Sequence, residues 1–180
     1  MAHAQQQNFF NSVKNKFPDM FTNKLVLDIG SLDINGSNKP LFDNCIYTGV
    51  DLLPGKNVDL ISKGNELLFP DNSFNVVISG ECFEHDMFYQ DTIKNMYRLL
   101  KSGGLFTFTC ASTGRPEHGT RRSSPDNAPF LEEFGEWADY YKNLTEDDIR
   151  QIFPIEEKFR IFQFQYEPET CDLYFWGIKI

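Results

Sequence analysis

Short apolar runs that close on an acid or a glycine constrain this chain more than any other feature. Lys24–Gly30 (KLVLDIG), Cys45–Asp51 (CIYTGVD) and Phe74–Gly80 (FNVVISG) are such runs, and Gly104–Cys110 (GLFTFTC) is a fourth of the same length. Runs this short, rich in Val, Ile, Phe and Thr, predict strands buried on both faces, the habit of parallel sheets. Asn57–Ser62 (NVDLIS) is a weaker strand between them. Ile93, Met96, Tyr97 and Leu100 recur at helical spacing and predict a helix over about 86–101. Asp86 is placed to cap its start, Arg98 and Lys101 suit its negative end, and Gly103-Gly104 stops it. Phe9, Phe10, Val13 and Phe17 predict an N-terminal helix over 7–17. Thr145-Glu146-Asp147-Asp148 reads as a capping box opening a helix that bears Ile149, Ile152 and Phe153. Runs at 158–167 and 172–180, with a turn at Pro168-Glu169-Thr170, predict an antiparallel hairpin. Strands alternating with helices imply an α/β fold, a seven-stranded, mostly parallel sheet with helices on both faces. The connections after the second and third strands are too short for full helices.

A chain of 180 residues is expected to form a single domain over 1–180 with its own core. Its net charge of −9 lacks the basic footprint of nucleic-acid binding, which argues against nucleic acid and anionic membranes as partners. No apolar run is long enough to span a bilayer, and MAHAQQQNFF lacks a signal-peptide pattern, so a cytoplasmic location is expected. The four cysteines, Cys45, Cys82, Cys110 and Cys171, form no CxxC pair and read as free thiols. Cys82 and His85 have no second ligand pair at a zinc spacing, so no metal is expected. Oligomeric state is not legible in the sequence.

In open α/β sheets ligands bind at the carboxyl ends of the strands. The first strand ends in Asp28-Ile29-Gly30-Ser31, followed by Leu32-Asp33-Ile34-Asn35-Gly36, and the second ends in Asp51-Leu52. An acid about 20 residues beyond the glycine turn has the spacing of a ribose-binding carboxylate. A solvated turn aspartate has the same spacing. A dinucleotide would want G-x-G-x-x-G for its pyrophosphate, and the G-S-L-D-I-N-G loop lacks it. Acids at Asp28 and Asp33 repel a pyrophosphate and attract a sulfonium or ammonium, which favours S-adenosylmethionine over NAD.

VLDIGS, YTGVDLLPG, ELLFPDNSFNVVISGECFEHD and LLKSGGLFTFT, between 24 and 110, resemble the class I S-adenosylmethionine-dependent methyltransferases of the type 11-like group. The resemblance implies a Rossmann-like fold whose sheet closes on the antiparallel hairpin. It implies S-adenosylmethionine as cofactor, with Gly30 in the glycine turn, Asp51 and Leu52 at the ribose, and Asn65 and Glu66 near the adenine. It also carries Asp28, Ser31, Asp33 and Glu81 over to the cofactor site. The pattern departs from the family's at Ser31, Leu32 and Asp33, where loop glycines are usual, and at Lys63, where an acid usually meets the adenine. Asn35 and Gly36 are expected to restore the tight turn, and Ser31 or Asp33 to hold the amino-acid part of the cofactor.

Methyl transfer from a sulfonium needs chiefly positioning, and an alcohol or amine acceptor gains from a general base. His85 is the first candidate, with Glu84 and Asp86 expected to favour its protonated form; a pocket-shaping role is its alternative. His118 is the second, in the polar 111–143 block, which reads as an acceptor-side loop or lid. Arg121 and Arg122 are expected to grip an anionic acceptor, and Tyr140, near Trp137 and Tyr141, to stack on it. The expected reaction is methyl transfer to a hydroxyl or amine of a small molecule or glycan. A non-catalytic relic of the fold, or an NAD(P)-dependent oxidoreductase, remain the rivals.

Overall fold

The apolar runs pair side by side, because each carries side chains for two cores at once. The computed structural model describes residues 4–127 and 131–180, with side chains throughout these except at 131–133. Strands β1 (Leu25–Ile29), β2 (Ile46–Asp51), β3 (Leu60–Ile61), β4 (Phe74–Gly80), β5 (Leu100–Ala111), β6 (Phe159–Glu167) and β7 (Asp172–Lys179) form one sheet. Its order is β3-β2-β1-β4-β5-β7-β6. The first five run parallel, and β7 pairs antiparallel with both β5 and β6. This is the expected seven-stranded sheet with its closing hairpin.

Successive strand residues point to opposite faces. Leu27, Ile29, Val77, Phe106 and Phe108 face one cluster, with Ile93, Met96 and Leu99 of α2 (Tyr89–Leu99), Ile149 of α3 (Glu146–Arg150) and Ile155 of α4 (Ile155–Lys158). Val26, Val76, Ile78 and Leu105 face the other, with Phe9, Phe10 and Val13 of α1 (Ala4–Lys16) and with Phe21. Each fully buried Leu, Ile or Phe here contributes roughly 1.5–3 kcal/mol, so both helical layers are held by burial rather than by helix propensity.

Four local expectations are corrected. The third strand shrinks to two residues at an exposed edge. Helix α2 starts at Tyr89, not at Asp86, whose carboxylate instead accepts from the Phe88 N–H at 2.8 Å and from the Thr92 hydroxyl. Gly103-Gly104 does not end α2; the helix stops at Leu99 and the glycines lie in the first half of β5, where its register with β4 shifts. The helix after the Thr145 capping box is only five residues long, so Ile152 and Phe153 follow it rather than ride on it. The block from 111 to 143, described outside 128–130, is packed: His118, Thr120, Trp137 and Ala138 are buried, and two 3-10 turns, Pro125–Asn127 and Leu131–Asp139, run through it. Among the described residues no helix is long and apolar enough to cross a membrane.

Candidate functional site

The strand order reverses between β1 and β4, and a cleft of about 1300 Å³, counted with its open mouth, lies at their carboxyl ends. Gly30 forms its floor. The residue has φ +78°, and a Cβ there would stand 2.6 Å from Cys82 Cβ, so the turn admits only glycine. Beyond it the chain bends toward β2. Gly30 and Ser31 both donate to the Val50 carbonyl, at 2.9 and 3.1 Å, and Gly36 donates to Asp33 Oδ1 at 2.8 Å, closing the turn expected around Asn35 and Gly36.

Asp51, at the tip of β2, points into the cleft. Its Oδ2 accepts from the Leu32 N–H at 3.0 Å and its Oδ1 from the Leu52 N–H at 2.7 Å. Burial raises its pKa, and the backbone N–H groups of Leu32, Leu52 and Leu53 oppose the rise. Asp28 lies deeper. It accepts from the Tyr47 hydroxyl at 2.5 Å, its Oδ1 has no partner, and burial pushes its pKa up to about 7.

Of the residues expected at the cofactor, Asp28, Gly30, Ser31, Asn35, Gly36, Asp51, Leu52 and Glu81 line this cleft. Three do not. Asp33 turns away to Lys56, at 2.6 Å, which with the Gly36 donor keeps its carboxyl low. Glu66 pairs with Lys63 on the surface at 3.0 Å, and Asn65 stands outside the lining although its Oδ1 is buried without a partner. Their places near Gly64 are taken by Ser62 and by Gly64 itself, where a Cβ would meet Thr92 Cγ2 at 2.5 Å. Ser31 lines the cleft, but its hydroxyl donates to the Asn57 carbonyl at 3.1 Å, so it braces the loop instead of reaching for a ligand.

His85 lines the cleft at the far end of β4, after Glu81, which sits in left-handed backbone at φ +52°. The expected protonated form is overturned. Burial, with His118 next, lowers the His85 pKa to about 3, so the ring is neutral near pH 7. His118 is behind it, ring centroids 5.0 Å apart, and is not part of the lining. Tyr141 packs edge-on against both rings, at 5.4 and 5.1 Å. Arg121 and Arg122 are not brought to the cleft. Both engage Asp139, and Arg122 also pairs with Glu117 at 3.0 Å. Tyr140 is likewise outside the lining; Trp137 is the ring that reaches it, and its indole N–H donates to the His85 carbonyl. Gln6, Gln7 and Asn38 also line the cleft, and nothing in their sequence context marked them.

Four acids, Asp28, Asp51, Glu81 and Asp86, face this cleft, and among the described residues no Lys or Arg does. Such a field attracts a cation and repels a pyrophosphate.

Known proteins match this description. The family model described as "Methyltransferase domain" matches residues 27–108. Demethylmenaquinone methyltransferase of Listeria monocytogenes is 44% identical over 62 residues, 33% of this chain and 25% of that protein. The chain thus spans only a quarter of the length of the curated relatives it matches. Among solved structures, Haemonchus contortus phosphoethanolamine N-methyltransferase 2 superimposes with a TM-score of 0.66 at 17% identity, covering 96% of this chain and 52% of its own. Burkholderia thailandensis 1,6-didemethyltoxoflavin-N1-methyltransferase gives 0.59 at 15%, covering 99% and 92%. At these identities the structural likeness is one of fold. Residues 27–108 thus match the methyltransferase domain family, and the chain has the fold of the S-adenosylmethionine-dependent methyltransferases among the solved structures.

Proposed function

We propose that the chain binds S-adenosylmethionine in this cleft and transfers its methyl group to a hydroxyl or amine of a small molecule or glycan. The acidic lining, without Lys or Arg among the described residues, carries the reading. S-adenosylmethionine brings a sulfonium and an ammonium, whereas the pyrophosphate of NAD would meet four acids and, among the described residues, no Lys or Arg. Asp51 takes the ribose diol with its carboxylate, which the backbone N–H groups of Leu32, Leu52 and Leu53 hold in place. Asp28 and Glu81 face the ammonium, Ser62 and Gly64 flank the base, and Gly30 lets the cofactor backbone approach the strand. The domain over 1–180 holds both subsites, with 111–143 as the acceptor-side wall.

The cofactor supplies an activated methyl, so this chain's work is alignment and water exclusion. His85 and Trp137 form the end of the cleft where an acceptor must sit. A neutral His85 fixes the acceptor atom by a hydrogen bond. Its Nε2–H donates that bond, and with a pKa of about 3 the ring takes up no proton, so the acceptor proton passes to solvent late, as the nitrogen or oxygen gains its methyl. His118 acts through His85 rather than on the substrate. Because Arg121 and Arg122 are spent on acids of their own block, neutral or cationic acceptors suit the cleft better than anionic ones. The named relatives methylate a phosphoethanolamine, a toxoflavin precursor and a demethylmenaquinone, which keeps amine acceptors foremost and extends the panel to quinols. The test is an S-adenosylhomocysteine-release assay across uncharged sugars, amines, quinols and small acids. Turnover with a neutral or amine acceptor supports the reading; turnover with phosphorylated or carboxylate acceptors alone contradicts it.

A further inference from the structure

Behind the cleft wall, three side chains leave lone pairs facing one another with nothing to satisfy them. Glu84 is fully buried, and neither carboxylate oxygen has a hydrogen-bond partner. His85 Nδ1 and His118 Nε2 are also buried and unpartnered. One ligand atom from each of the three lies within 4.8 Å of the others. An unpaired buried carboxylate is costly, and its usual remedies are a donor, a proton or a metal. Among the described residues no side chain donates to this one; burial, with Glu81 next, pushes its pKa up to about 8, so without a metal the group holds a proton near pH 7.

His118 is set up in the way metal-bound histidines are. Its Nδ1 lies 3.1 Å from the Pro116 carbonyl and donates to it, which makes Nε2 the lone-pair nitrogen of a ring that offers a ligand atom within 4.8 Å of those of Glu84 and His85. Tyr141, whose hydroxyl also donates to Pro116 O, holds both imidazoles in place. The Lys142 N–H donates to the Glu84 carbonyl at 2.9 Å and ties the two halves of the cluster together.

We propose that Glu84, His85 and His118 form a binding site for one divalent first-row transition ion of the zinc class. Two imidazoles and one carboxylate on one side of an ion, with the remaining positions open, are a ligand set such ions take. Zinc ligands sit about 2.0–2.2 Å from the metal, hence ~3.4 Å apart, so closing the triad needs side-chain shifts of roughly 1 Å. The ion neutralises the Glu84 carboxylate and fixes the His85 ring at the cleft wall. The site stands independently of the cofactor reading, since none of its lone pairs is assigned to S-adenosylmethionine.

Titration of purified protein with Co²⁺, followed by visible absorption, tests it. The expected result is one equivalent bound, with d–d bands, no thiolate charge-transfer band, and displacement by Zn²⁺. Glu84→Gln and His118→Gln each weaken binding by at least tenfold, and His3→Gln, which alters the third histidine of the chain, leaves it unchanged. Absence of stoichiometric binding, a thiolate band, or equal affinity in the Glu84 and His118 variants overturns the proposal. Circular dichroism checks that each variant folds. Should either fail to fold, X-ray absorption of the wild-type protein with one equivalent of Zn²⁺ decides: two imidazoles in the shell support the site, and a shell without imidazole overturns it. S-adenosylhomocysteine binding, measured on the same samples, reports separately on the cofactor reading.

Discussion

At the scale of single residues, Gly30 and Asp28 show what the sequence discloses and what it hides. Gly30 was legible because a glycine ending an apolar run is an informative signal, and the close approach of Cys82 supplies its reason. Gly30→Ala forces a Cβ into the Cys82 side chain at positive φ; it is expected to lower the melting temperature and abolish S-adenosylhomocysteine binding together. Normal binding in that variant would show that the turn is not fixed as described. The protonation of His85 was not legible. Its acidic sequence neighbours suggested a raised pKa, but burial decided the opposite direction, and burial is a property of the fold. Asp28 has the same origin. Its folded pKa of about 7 lies above the ordinary 3.8, so from about pH 4 upward the unfolded chain loses this proton before the folded one does. Asp28 therefore costs stability as pH rises toward 7. Chemical denaturation is expected to show wild type losing stability relative to Asp28→Asn between pH 4 and 7. A constant difference across that range would contradict the assignment.

Among elements, the strand runs, the closing hairpin and the Thr145 capping box matched the sequence, whereas the ends of α2 and the packing of 111–143 did not. The capping box at Thr145 is present as read, with the Asp148 N–H donating to Thr145 Oγ1 and the Thr145 N–H to Asp148 Oδ2. Thr145→Ala is expected to cost about 1 kcal/mol in equilibrium unfolding, and no measurable loss would mean that α3 is held by Ile149 alone. By contrast, β5 begins four residues early because Leu100 pairs with Phe74, so a glycine pair that looks like a helix stop lies in a strand. The block from 111 to 143 was read as a loop because it lacks periodicity. Its order comes instead from long-range bonds, Arg121 N–H to the Ala138 carbonyl and Trp137 indole to the His85 carbonyl among them. Trp137→Ala is expected to raise the acceptor KM severalfold and to change cofactor affinity less. An equal effect on both would place the ring at the cofactor rather than at the acceptor.

For the whole molecule, the sheet order brings the ends of β1, β2 and β4 to one cleft, and four carboxylates separated by up to 58 positions in the chain, from Asp28 to Asp86, converge there. The net negative charge already disfavoured phosphate-rich partners, and the structure shows where that acidity counts. Linear spacing identified Asp51 and the family resemblance Glu81, whereas the convergence of Asp86 and Trp137 on the same cleft required the fold. The measurement that bears most directly on the account is isothermal calorimetry of S-adenosylhomocysteine and, separately, NADH with wild-type and Asp51→Ala protein. The account predicts one S-adenosylhomocysteine site per chain, no NADH heat, and at least a tenfold weaker site in Asp51→Ala, about 1.4 kcal/mol. NADH binding, absence of S-adenosylhomocysteine binding to the wild type, or an affinity indifferent to Asp51 would contradict it.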